Sequence, residues 1–156
     1  MLVREGKIIG ERNVNNIMSL NHFHFPEWLM KNSLFRKIFL LRKIFLTRKR
    51  FYYYGQMAED VALNRFFPKK YIGFFVDVGC FHPIKFNNTY RFYKRGWRGI
   101  NLDIDNIKIE GFKIMRPKDV NINCAISDQE GETTYWTNGF YSPTVTLHKP
   151  FADSKQ

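Results

Sequence analysis

Asp77, Gly79 and Asp103 are the residues whose types and spacing point to chemistry. Asp77 and Gly79 lie in GFFVDVGCFHP at 73–83, and Asp103 ends GINLD at 99–103. In each segment a short apolar run delivers a carboxylate to a turn. In open α/β sheets ligands bind outside the carboxyl ends of the strands, and an acid at the second strand end can accept both hydroxyl protons of a ribose. The alternative for Asp103 is a helix cap or surface acid ahead of Asn106. Gly79 lets the main chain approach a ligand where any side chain would collide. The three-glycine dinucleotide fingerprint is absent, since a single glycine follows Asp77, and this disfavours a pyrophosphate turn.

A ligand without a diphosphate suits this loop. S-adenosylmethionine is one, with its amino-acid end near the loop and its ribose near Asp103. Asp77 then either holds the ammonium group, directly or through water, or organises the loop by accepting main-chain N–H bonds. His82 is the histidine nearest the expected site and the candidate base; the bland alternative is a structural role in the turn before Pro83. Asp128, just past the third expected strand, is placed to reach an adenine amino group, or is an ordinary turn acid in SDQEG at 127–131. Trp97 and Trp136 read as core or rim aromatics. Arg98 either guides an anionic substrate or faces solvent. His22 and His24 lack a third ligand at a supporting spacing, so packing or surface roles are favoured over metal.

The elements that must position these residues follow from periodicity and punctuation. Strands are expected at 73–78, 100–103, 120–126 and 132–137. Helices are expected at 55–67, ended by Pro68, at 87–95, ended by Gly96, and at about 105–114. The stretch 139–147 reads as a loop or an edge strand. The order βαβαβ with right-handed crossovers is the first half of a doubly wound sheet. The fold class is therefore α/β, an incomplete Rossmann-like sheet.

The chain has 156 residues and 44% apolar content, enough for one domain with a real core. Its net charge of +11 is uneven. Residues 1–50 hold eleven Lys/Arg against three acids, whereas residues 51–156 hold fourteen against eleven. This divides the chain into a basic N-terminal region, 1–50, and an α/β domain, 51–156. No secretory leader and no spanning run is read from the sequence. Cys80 and Cys124 fit no zinc or redox spacing and read as reduced thiols, so a cytoplasmic location is expected.

Residues 31–50 carry eight basic residues and no acid. Leu34, Ile38, Leu41 and Phe45 recur at helical spacing, widened by Phe35, Phe39 and Leu46. The first expectation is a helix with this stripe against the core or a partner. The second is adsorption to the anionic inner face of a membrane. Nucleic acid is disfavoured, because a charge run without a recognition motif supplies only sequence-blind attraction.

Five words in order carry a family resemblance: GQMAED at 55–60, FVDVGCFHP at 75–83, NTYRFYKRGWRGI at 88–100 with LDID at 102–105, RP at 116–117, and NCAISD at 123–128. Together they resemble the FkbM family of S-adenosylmethionine-dependent methyltransferases over residues 51–147. The resemblance implies a Rossmann-like methyltransferase fold and methyl transfer to a hydroxyl, including sugar hydroxyls. It implies Asp77 and Gly79 in the first cofactor loop, Asp103 at the ribose and Asp128 near the adenine. Gln56, Glu59 and Asp60 would lean over the cofactor. Family members continue into a strand bearing an I-D-x-E-G segment that this sequence lacks. The resemblance thus implies half a sheet, with a partner chain able to complete it. The alternative is a non-catalytic module of the same fold that binds a partner protein or an anionic membrane.

Overall fold

Two apolar runs joined by a helix cannot pair as a hairpin; they pair in parallel through a crossover. The computed structural model describes residues 2–3, 29, 31–46, 52–128, 131, 133–137 and 141–147. Its elements are β1 (Leu2–Val3), α1 (Ser33–Leu46), α2 (Glu59–Phe66), β2 (Phe74–Val78), α3 (Tyr90–Lys94), β3 (Arg98–Asp103), α4 (Asn106–Met115), β4 (Val120–Asn123), β5 (Ala125–Ile126), β6 (Trp136–Thr137) and β7 (Val145–Thr146).

β2, β3 and β4 form a parallel sheet in that order, with Asp77 opposite Asn101 and Asp103 opposite Asn123. Both crossovers step in the same direction across the sheet, so helices of like-handed connections land on one face. That face carries Phe75, packed with Phe92 of α3 and with Trp97, and flanked by Phe67 and Tyr93. The other face leaves Phe74, Val76, Val78 and Val120 more than half exposed. The architecture is a mixed α/β fold, a three-stranded parallel sheet flanked by helices, as far as the expected Rossmann-like order reaches.

Gly99 of β3 sits opposite Phe75 of β2. A Cβ there would run into the Phe75 carbonyl oxygen and ring. Gly99→Ala should lower stability by about 1–3 kcal/mol, because backbone and a core ring must both shift. The urea midpoint of the variant measures this, and an unchanged midpoint would contradict it.

Four expectations are corrected. The helix expected at 55–67 starts only at Glu59, because Ala58 is left-handed (φ 63°). The turn before it is organised by Asp60, accepting from Gly55 N (3.0 Å), and Glu59, accepting from Met57 N (2.8 Å). The strand expected at 120–126 is broken at Cys124, whose N–H donates to Asp103 O (3.1 Å). Its continuation β5 pairs antiparallel with β1. Of the strand expected at 132–137, Trp136–Thr137 is present among the described residues, paired antiparallel with β7.

The fourth correction concerns the basic helix. Asn32 caps α1, its Oδ1 accepting from Leu34 N (3.0 Å) and Phe35 N (3.2 Å). The buried side is Leu40 and Ile44, which are fully inaccessible and lie beside Gly111 of α4. An ion pair from Arg36 Nε to Glu110 Oε2 (2.6 Å) fixes the rotation. The stripe expected to face the core instead leaves Leu34, Ile38 and Phe45 exposed. Among the described residues no helix is long and apolar enough to cross a membrane. His22 and His24 lie outside the described residues.

Candidate functional site

The carboxyl edge of β2 and β3 collects the expected site. β2 ends at Val78, and Gly79 turns the chain in the left-handed region (φ 68°). Gly79 N and Cys80 N both donate to Leu102 O (2.8 and 3.1 Å), pinning the loop to β3. A Cβ on Gly79 would meet no atom of the described residues within 4 Å, so among them its Cα faces open space.

Asp103 joins the two strand ends. Its Oδ2 accepts from Phe81 N (3.0 Å) and its Oδ1 from Asp105 N (2.9 Å). Lys108 Nζ lies 3.6 Å from Asp103 and 3.9 Å from Asp105, and all three side chains are buried. Asp105 caps α4 through Ile107 N (3.0 Å). Burial raises its carboxyl above the usual range, against the pull of Lys108. The Phe81 ring lies 5.4 Å from the Lys108 ammonium and 5.7 Å from the Tyr141 ring. Asp103 is only 5% exposed.

Asp77 is engaged with the loop that follows it. Its Oδ2 accepts from Asn87 Nδ2 (3.0 Å) and Thr89 Oγ1 (2.8 Å). Burial nevertheless raises its carboxyl, opposed by the Thr89 bond and by the charge of Arg116. Arg116 is wholly buried and serves three acceptors of the same loop: Pro83 O, Asn87 Oδ1 and Thr89 Oγ1. The loop-organising role is thus served through side chains rather than main-chain N–H groups.

His82 is buried, and its Nδ1 accepts from Ile84 N (3.0 Å) and Lys85 N (2.9 Å). Two donors on Nδ1 leave the proton of the neutral ring on Nε2, which has no hydrogen-bond partner among the described residues. Burial first, then the charges of Lys43, Lys85 and Arg116, lower its pKa to about 4. This geometry suits an anchor for the turn at 83–85, not a proton acceptor.

The remaining expected residues are placed more loosely. Asp60 is fully buried and pairs with Arg91 Nε (2.6 Å), so it ties α2 to α3. Glu59 closes the Met57 turn, and Gln56 is exposed. Asp128 is exposed past β5, taking the Ser127 hydroxyl at 3.3 Å. Arg98 bonds its neighbour's carbonyl, Trp97 O (2.6 Å), and lies over Tyr93. Trp97 is core; Trp136 is half-buried. Cys80 and Cys124 are buried free thiols, both pushed up by burial.

Arg116, Thr89 and Lys108 are the residues whose roles sequence reasoning missed; Asn87, a candidate cap for the helix expected at 87–95, accepts from Thr89 N and Tyr90 N (3.0 and 2.8 Å). Arg116 and Thr89 stood in the matched words, which was the available signal. Lys108 carries no such mark, being one cation among the isoleucines of an amphipathic helix. On the outer side of α3, a cleft of about 530 Å³ is lined by Tyr54, Asn64, Lys69, Arg91, Lys94 and Arg95.

Comparison of the chain with protein-family models, with curated proteins and with solved structures finds no match. Functional assignment therefore rests on the residues themselves.

Proposed function

We propose that residues 51–147 form the cofactor-binding part of an S-adenosylmethionine-dependent methyltransferase of the FkbM type, acting on a hydroxyl acceptor such as a sugar. The observation that carries this is the meeting of Asp77, left-handed Gly79 and Asp103 at one edge of adjacent parallel strands. The hydrogen-bond network lends further support, because the family-like words bond to one another. Asp60 reaches Arg91, Asp77 reaches Thr89, and Arg116 reaches Pro83 and Thr89.

The fit to the cofactor has two parts. Gly79 offers open space for its amino-acid end. Asp103 uses two of the roughly four acceptor sites of a carboxylate, which leaves capacity for a ribose. At 5% exposure it reaches one only if the residues that bury it give way. Asp128 is exposed, and its carboxylate has acceptor sites beyond the Ser127 hydroxyl for an adenine amino group.

S-adenosylmethionine, when bound, supplies a methyl group on a sulfonium centre. The chain's contribution is positioning, which converts a bimolecular encounter into an oriented one. The bare face of Phe74, Val76, Val78 and Val120 is where helices of a second half, from this chain or a partner, would pack.

Calorimetric titration with S-adenosylmethionine tests the proposal. Saturable one-site binding is expected. Asp128→Ala should weaken it about three- to ten-fold, the worth of one hydrogen bond, without disturbing the fold. Gly79→Val should abolish it. A folded, monodisperse chain that gives no binding heat would overturn the proposal and favour a non-catalytic module.

A further inference from the structure

α1 is apolar on two sides. Its inner side, Leu40 and Ile44, is fully buried beside Gly111. Its outer side exposes Leu34 at 66%, Ile38 at 48% and Phe45 at 48%. With Leu41, these outer residues fall within about 60° of arc on an α-helix. Lys37 and Arg42 flank the stripe on either side, and both are exposed. Residues 31–50 contain eight Lys/Arg and no carboxylate. Two of those cations are turned inward: Arg36 pairs with Glu110, and Lys43 lies over the Tyr141 ring at 4.5 Å.

We infer that the outer face of α1 docks on an anionic membrane surface. Charge selects the partner's sign and the apolar stripe selects its kind. A nucleic acid would attract the cations but offers nothing to Leu34, Ile38 and Phe45. A bilayer interface accepts both, with apolar side chains at the acyl boundary and Lys/Arg among the headgroups. Each basic residue near such a surface strengthens binding roughly five-fold, and salt screens this gain. Because the inner face already holds α1 on α4, the stripe is presented as a formed helix, and little ordering cost accompanies adsorption. The helix would lie in the interface plane, with the sheet held outside it.

Flotation of the full chain with phospholipid vesicles tests this independently of cofactor binding. Vesicles containing about one-third phosphatidylserine should carry the protein at low salt, and pure phosphatidylcholine vesicles much less. The variant Leu34→Ser/Ile38→Ser/Phe45→Ser should weaken association at least ten-fold, as should Lys37→Gln/Arg42→Gln. All five positions are exposed, so helix content and the thermal midpoint should stay at wild-type values in both. Double-stranded DNA serves as the anion without hydrocarbon. Absence of anionic-vesicle binding at low salt would overturn the proposal. So would an apolar variant that binds vesicles like wild type, or tighter binding to DNA that the apolar variant leaves unchanged.

Discussion

Arg116→Met should remove a large part of the stability of the folded chain. The guanidinium is wholly inaccessible. Its Nε and Nη2 donate to Pro83 O (2.9 and 2.6 Å), Nη2 also to Asn87 Oδ1 (2.7 Å), and Nη1 to Thr89 Oγ1 (2.9 Å). The rings of Tyr90, Tyr93 and Phe112 lie 5.0–5.2 Å from its central carbon. Burial lowers its pKa to about 10, with the charges of Asp77 and Asp119 opposing that fall, so it stays charged at neutral pH. A methionine would fill much of the volume but leave the loop acceptors without a donor and Asp77 without its cation.

Leaving these buried acceptors without a donor, and the buried Asp77 without a nearby cation, costs about 3–5 kcal/mol. The whole stability of a domain is only about 5–15 kcal/mol. For a chain of this size the loss corresponds to a fall in melting temperature of roughly 10 °C. Arg116→Lys should recover little, because one ammonium cannot serve three acceptors set by a planar fork. Arg116→Met/Asp77→Asn should recover more, since it removes the uncompensated carboxylate as well. Chemical unfolding of the four proteins measures this. A single variant within about 1 kcal/mol of wild type would show that the network is not what holds the loop.

The same residue marks the limit of what the sequence discloses. β2 and β3 are legible because their cause is local: a short apolar run, then an acid and a turn residue, repeated once with a helix between. The convergence of Asp77, Gly79 and Asp103 follows from parallel pairing alone. Arg116 lies 39 positions after Asp77, and it is enclosed by Tyr90 and Tyr93 of α3 and Phe112 of α4, a convergence that no local pattern states. The rotation of α1 fails for a related reason. Both of its faces are apolar, so periodicity offers two solutions, and Gly111 and Glu110 on another helix select one. The late start of α2 rests on a left-handed alanine, a conformation that glycine or asparagine would have signalled and alanine does not. The break at Cys124 is set by Asn123, whose side chain bonds Asp103 O and Ile104 O, and an asparagine in a strand does not announce that. His82 stood between base and turn anchor, and only the two N–H groups aimed at Nδ1 distinguish them.

That arrangement at His82 has a measurable consequence in acid. Its pKa is 6.5 in the unfolded chain and about 4 when folded, chiefly through burial, then through Lys43 of α1, Lys85 and Arg116. A depressed histidine contributes stability that is complete above pH 6.5. Between 6.5 and 4 the unfolded state binds a proton that the folded state refuses, so stability falls as pH falls; below 4 the contribution is gone. At about 1.4 kcal/mol per pH unit, the total is about 3 kcal/mol. Asp77 and Asp105 act in the opposite sense. Burial raises both, so just above the ordinary carboxylate value they keep protons in the folded state and acidification favours folding. The wild-type curve from neutral pH down to 4 should therefore fall by less than His82 alone would give.

His82→Asn separates the two. The amide oxygen offers Ile84 and Lys85 an acceptor and cannot titrate. It loses the ring contact with Tyr141, which lowers stability at every pH without changing the slope. Urea unfolding from pH 7 to 4 should show a wild-type decline, and in the variant a flat or rising curve as pH falls. Parallel curves would mean that His82 is protonated equally in both states, and that its two N–H bonds do not hold it neutral.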